Sequence, residues 1–447
     1  MNSKLAYSLL AFLLLAGCGS GREEADFDAG GSVAPSVNAQ WLLAGGSTEF
    51  DVGRGIVASA NGWSVAGSVS SAGIIGEVDF TVAGFEDLFR LQVDQEGRPG
   101  DLTSVGVNTG FMGANDVAFA EGNAVLAGYY LGETTTLRGH SIENNGAGDA
   151  LLVAIDESDD VSWIQGLGGT NIDVALSVAS SSTHVVWAGS FDGSARIDDV
   201  VLTASGASDA FISSVSAETG ASEWVVSAGG VGDDVVEEVS VDSNGDVYIA
   251  GYFNRTVNWG CGAVNADDES DLFLAKLDGS SGECIWMNHI VGGGRSELYA
   301  MALSGAGTIA IAGRFDRELD FGGGNITSGG LSMFVASYNQ DGGTLNWAKR
   351  VGAAGFALPW GAVADDVGNL IICGAYSQRL EFGSGYLPGD DDGDAFLTMY
   401  SADGKNLWSE RIGGVGTSFC NDVALNGDQI AVTGGFDGSL QFAGEIR

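Results

Sequence analysis

Four carboxylates crowd one short stretch of this chain. Gly389-Asp390-Asp391-Asp392-Gly393-Asp394 gathers hard oxygen ligands just before a strand-like run, a density at which calcium can be held. The spacing departs from an EF-hand loop, so a solvated acidic turn is the competing reading of Asp390, Asp391, Asp392 and Asp394. Histidine chemistry has little to work with: His140, His184 and His289 are the only three, and each falls at a different phase of the internal repeat described below. A shared metal or a triad built on them would need them to converge. Gly-x-Ser-x-Gly, Walker-type Gly-Lys-Ser/Thr and His-Glu-x-x-His do not occur. With 59 Asp and Glu in the chain, any one pair of carboxylates says almost nothing about glycosidase-type catalysis.

The same acidity bounds the partners. Against 18 Lys and Arg it leaves a formal net charge of −41, which repels polyphosphate and argues against nucleic acid. Ahead of the acidic body, Lys4 precedes the apolar run Leu9-Leu10-Ala11-Phe12-Leu13-Leu14-Leu15, too short to span a bilayer as a helix and suited to an export leader. Leu15-Ala16-Gly17-Cys18 resembles the lipobox of bacterial lipoproteins. That resemblance implies cleavage after residue 17, acylation of Cys18 and anchoring of the exported protein to a membrane by lipid. Gly19 follows, with no aspartate to suggest retention at the inner membrane, so the expected address is the outer membrane or the cell surface. Residues 18–40, rich in Gly, Ser, Asp and Glu, read as a flexible acidic tether.

From Trp41 onward the chain repeats itself. Trp41, Trp163, Trp224, Trp286, Trp347 and Trp408 keep a spacing of about 61 residues once Leu102 takes the missing place between the first two. In phase with them run AGSF (Ala188 to Phe191), AGYF (Ala250 to Phe253), AGRF (Ala312 to Phe315) and TGGF (Thr433 to Phe436), with AGSV, AGYY and CGAY completing seven. A third landmark, Asp-x-Phe or a close variant, opens segments at Asp87, Asp149, Asp209, Asp271, Ser332 and Asp394. VVEEVSVDSNGDVYIAGYF alternates on both sides of Asn244-Gly245, a pair that tolerates the positive φ of a tight hairpin. DLFLAKLDGSSGECIW forms a second hairpin, so each unit is a four-stranded antiparallel sheet. The 72 glycines against 4 prolines fit short strands and tight turns. Seven such units arranged radially make an all-β, seven-bladed β-propeller over residues 41–447.

The units resemble bacterial seven-bladed β-propeller repeats, with their Asp-Ala-Phe strand, tryptophan strand, Ala-Gly strand and exits such as Leu319-Asp320-Phe321-Gly322. The resemblance implies exported, non-catalytic propellers. Ser216 to Trp224 also resembles the Thr-Gly-x-x-x-Trp end of the docking motif in quinoprotein propellers, which we read as shared packing of an indole against the next blade and not as a quinone site. Of the other cysteines, Cys261 and Cys284 fall within one unit and are expected to form a disulfide, while Cys373 and Cys420 are read as buried free thiols.

Seven tryptophan-type landmarks meet only six Asp-x-Phe segments. The blade that starts at Trp41 is therefore expected to lack one strand and to close against the C-terminal blade by packing alone. Asp26-Phe27 stands at the right distance for a degenerate copy, but Asp28, Gly30, Gly31 and Pro35 break the alternation. The functional expectation is a membrane-anchored envelope propeller that binds or scaffolds, with a protein or glycan ligand on one face and no cofactor apart from calcium. Two alternatives stand beside it: a polysaccharide-acting hydrolase or lyase with acidic residues from several blades converging on the channel, and a purely structural envelope protein.

Overall fold

A computed structural model describes residues 10–16, 41–46, 51–107, 110–266, 269–383, 385–437, 439–442 and 445–446. The described residues are strands and turns, and every ladder between named strands is antiparallel.

One unit shows how the repeat folds. Asp234–Val241, Val247–Phe253, Asp271–Leu277 and Cys284–Gly292 lie side by side in that order. Gly251 sits opposite Val236 on one side and Phe273 on the other. A Cβ on Gly251 would collide with the Val235 carbonyl, and its counterparts Gly67, Gly189, Gly313, Gly374 and Gly434 are equally crowded by the innermost strand of their own sheet. The glycine landmark is therefore a demand of close backbone approach.

The innermost strands are Val52–Ser59, Phe111–Ala120, Val174–Ser180, Asp234–Val241, Ser296–Ser304, Ala357–Ala364 and Ser418–Asn426. Each lies against the next, and the last returns to the first. The sheets thus stand radially around an axis, and the buried apolar residues form layers between neighbouring sheets. Ala188 and Ile212, for example, pack with Val236, Ile249 and Phe273.

The tryptophans fasten these layers. The indole N–H of Trp163 donates to Ala217 O at 3.0 Å, that of Trp224 to Gly279 O at 2.9 Å, that of Trp286 to Gln340 O at 3.3 Å and that of Trp347 to Ala402 O at 2.8 Å. Every acceptor belongs to the turn between the outer strands of the following unit. Gly220, Gly282, Gly343 and Gly404, at φ between 62° and 78°, bring those turns flat against the rings. Trp408 is buried among Ile412, Cys420 and Val423, whereas Trp41 is placed here only by its backbone.

The exit segments form hairpins, most of them paired with the outer strand of the preceding blade, whereas Thr135–Leu137 with His140–Ile142 and Thr256–Val257 with Val264–Asn265 stand as two-stranded sheets of their own. Glu318–Asp320 pairs with Asn325–Thr327 and also with Val291 and Gly292, burying Leu319 and Phe321. The outer strand ends are covered in this way, which limits edge-to-edge association.

Closure departs from expectation. The repeat is one strand short beside Trp41, as expected, but the sheet runs Ser418–Asn426, Gln429–Phe436, Leu10–Ala16, Trp41–Gly46. The apolar run near the N-terminus takes the vacant third place, pairing Leu13 with Leu42 on one side and Val432 on the other. Strands from the two terminal regions share one sheet where packing alone was expected, because seven consecutive apolar residues satisfy the open edges of both neighbours. Cys18 and residues 26–33 lie outside the described residues.

Candidate functional site

Each innermost strand carries a β-bulge at the same phase. The extra residues are Arg54, Asn115, Leu176, Glu237, Tyr299, Trp360 and Asn421, spaced by 61 or 62 positions. A bulge leaves its extra residue out of the ladder and re-aims its side chain. The scaffold repeats, yet these seven residues span a cation, an anion, two amides, an aliphatic and two aromatics. Asn115 and Asn421 use their amide N–H groups to reach the next blade, at Ala175 O (2.8 Å) and Gly53 O (2.7 Å).

The residues one step further along are Gly55, Asp116, Ser177, Glu238, Ala300, Gly361 and Asp422. Asp422 accepts from Ile56 N at 2.8 Å, Asp116 from Val178 N at 2.8 Å and Ser177 Oγ from Val239 N at 3.2 Å, so these three side chains fasten their blades to the next. Ser177 Oγ also lies 3.1 Å from Asp116 Oδ2 and 3.2 Å from Glu238 Oε2. Burial pushes Asp116 up to about 6. Burial, then the nearby charge of Asp116, holds Glu238 and Asp422 well above the usual carboxylate range. Glu238 also feels the charge of Asp422, which belongs to a blade that is not its neighbour. A proton on Glu238 gives the cluster a consistent pattern: Glu238 donates to Ser177 Oγ, and Ser177 donates to Asp116.

Above this level lies the face where the innermost strands begin. Glu297 meets Arg295 at 2.5 Å and Arg314 through Nε, and accepts from the Tyr299 hydroxyl. These bonds outweigh its burial and hold Glu297 below its ordinary value. Glu237 differs: among the described residues it makes no hydrogen bond or ion pair, and burial with the charge of Glu297 pushes it up to about 7. Tyr252, which feels Glu237, is pushed up to about 12, chiefly by burial. Across the mouth Tyr129 donates to Glu86 at 3.1 Å, and Trp360 meets Phe419 edge-on at 6.1 Å. At the opposite end a recess of about 640 Å³ opens between Phe119–Gly122, Ser180–Ser182 and Val241–Ser243.

The residues singled out from sequence lie elsewhere. Asp394 is buried and accepts from Asp390 N at 3.0 Å, while Arg411 Nη2 reaches Asp390 at 2.7 Å and Asp394 at 3.0 Å. Asp391 accepts from Gln378 at 3.1 Å. The guanidinium supplies positive charge to this loop, and among the described residues no group of three or more His, Cys, Asp or Glu is arranged to hold a metal. The histidines are dispersed: His140 contacts Val161 O, His184 contacts Glu223 and His289 contacts Asp271.

Cys261 and Cys284 are joined, Cα to Cα 5.5 Å, tying an exit segment to the outer strand of its own unit. Cys373 and Cys420 are also joined, at 5.7 Å, which corrects the expectation of free thiols. Adjacent blades come face to face here: Gly361, the ladder partner of Cys373, packs against Asp422, two residues beyond Cys420. Sequence reasoning also missed the bulge ring and the carboxylates below it. The available signal was phase, since Asp116, Glu238 and Asp422 sit at one offset within their units.

Radial four-stranded antiparallel sheets closed around a lined axial channel define a β-propeller. No family model and no curated protein matches the chain. Among solved structures it is similar to BamB from Moraxella catarrhalis (14% identity, 72% of this chain and 93% of that one, TM-score 0.32). It is also similar to the Pan2 WD40 domain of Neurospora crassa (9%, 88% and 92%, TM-score 0.40) and to the Dos1 propeller (9%, 86% and 92%, TM-score 0.39).

Proposed function

We propose that this protein is a seven-bladed binding propeller of the bacterial cell envelope, tethered by lipid on Cys18, whose ligand enters the channel mouth. The observation that carries the binding role is the bulge ring: one backbone position, repeated on seven similar strands, carries Arg54, Leu176, Glu237, Tyr299 and Trp360 beside two asparagines that are spent on contacts between blades. A purely structural ring would need no such diversity, whereas recognition needs apolar surface with a few placed polar groups. Lipid tethering rests on the leader and Leu15-Ala16-Gly17-Cys18. It requires removal of Leu10–Ala16, the strand that completes the closing blade in the full chain.

The test is retention of envelope proteins and glycans by the full chain carrying Cys18→Ser, compared with the same chain carrying Trp360→Ala and Glu237→Gln. Loss of retention in the latter supports the mouth as the site. Equal retention by both chains removes it.

A second reading has its own support. Asp116 and Glu238 of different blades meet at Ser177 Oγ, Asp116 also acts on Asp422, and carboxyls raised to different extents are the pairing that acid–base hydrolysis of polysaccharide uses. Turnover of an envelope polysaccharide that disappears in both E238Q and D116N would favour it. Turnover unaffected by either change would end it.

A further inference from the structure

The face that carries the mouth is edged, over four consecutive blades, by large apolar residues left open to solvent. Phe85 is 60% exposed and Phe111 44%, and their rings stack at 5.1 Å. Ile172 (63%) and Val231 (72%) follow on the next two connections into innermost strands. Bridges from Glu86 to Phe111 and from Gly148 to Ile172 hold these connections in place. An ordered apolar arc beside a polar opening is the composition of a docking surface.

Charge decides what docks. The arc ends at the blade that supplies Glu237 and Tyr252. Of the charged groups around Glu237, Glu297 is already neutralised by Arg295 and Arg314, Asp233 lies above it near Tyr252, and Glu238 lies below. Among the described residues Glu237 thus has no ion-pair partner, and the Tyr252 and Tyr299 hydroxyls feel its charge. A carboxylate beside aromatic faces is a receptor for a cationic side chain.

We propose that this face docks a protein partner that presses apolar surface onto Phe85, Phe111, Ile172 and Val231 and inserts a lysine or arginine side chain beside Glu237. The net charge of −41 draws such a partner in and disfavours an anionic lipid surface. The inference rests on the channel-mouth reading and gives that mouth its ligand chemistry.

The probes are short apolar peptides with one central lysine or arginine, and counterparts with norleucine or citrulline, measured against the full chain carrying Cys18→Ser. The cationic peptides should bind about tenfold or more tightly than their neutral counterparts. E237Q should abolish that preference with the fold intact, since Glu237 makes no bond that glutamine would break. F85S with F111S should weaken all the peptides. The preference should also fade as pH is lowered through about 7, where Glu237 takes up its proton, and this fading should be absent in E237Q. Equal binding of norleucine peptides, an unchanged preference in E237Q, or capture of anionic vesicles through Phe85 and Phe111 in place of peptides would overturn the proposal. Glycan retention through Trp360 with no peptide bound would overturn it and leave the channel-mouth reading standing. Retention of neither class would end both.

Discussion

Glu238 shows what a single side chain costs this protein and what it contributes. Its carboxyl, with Asp422 and Asp116, is held above the ordinary value by burial first and by its acidic neighbours second. Asp173 (up to about 6) and Asp234 (up to about 7) are raised by burial at the entrances to innermost strands. Groups whose folded value is raised take up protons on folding. Their stability contribution is complete below the ordinary carboxylate value near 4 and is lost as pH climbs through about 6 to 7. Glu297, held low, runs the other way and is outnumbered. Thermal melts should therefore give a higher Tm at pH 5 than at pH 8, and E238Q should narrow the gap. A Tm that rises from pH 5 to pH 8 would show that the axial carboxyls ionise freely. These residues were visible in the sequence as acids and invisible as a cluster, because 59 carboxylates hide any three until the phase of the bulge is known.

At the scale of the strand and the blade, the sequence was read nearly whole. Glycine, tryptophan and Asp-x-Phe landmarks placed the hairpins because each answers a local demand: backbone crowding, indole docking, or a buried carboxylate capping the loop before it, as Asp87 does for Ala83 N and Gly84 N. The indole has two separable roles. Trp224 is half-buried, so Trp224→Ala should cost about 2 kcal/mol by urea unfolding, below the range for losing a fully buried aromatic. Trp224→Phe, which keeps a ring against Gly282 and gives up the bond to Gly279 O, should cost about 1 kcal/mol from that bond, with a further loss from the smaller ring. Equal losses would assign everything to the hydrogen bond. The second disulfide was not legible, since nothing local in either strand announces which faces meet across a blade boundary. Peptide mapping without reductant should recover Cys373 joined to Cys420. Cys373→Ala with Cys420→Ala should destabilise by about 2–4 kcal/mol, the usual worth of a native cross-link.

The whole molecule turns on how its circle is completed. If the lipobox reading holds, Cys18→Ser should leave the protein unacylated and shift it out of the membrane fraction, and a mutant that stays with the membrane would refute the anchor. The closing sheet adds a constraint of timing. Leu10–Ala16 is the strand that joins Gln429–Phe436 to Trp41–Gly46, and under the proposed lipid anchoring it would also be the apolar core of the leader. Under that proposal, a chain that folded before export would hide from the protease the segment the protease must see, and completion of the circle would act as a one-way latch against processing. Precursor refolded before it meets signal peptidase should be cut far more slowly than precursor presented unfolded, and equal rates would dissolve the latch. If the leader were cut in this way, the mature ring would carry a slot one strand wide, about 10 Å between the facing backbones. The moment of maturation is then also the moment at which this protein acquires a vacancy.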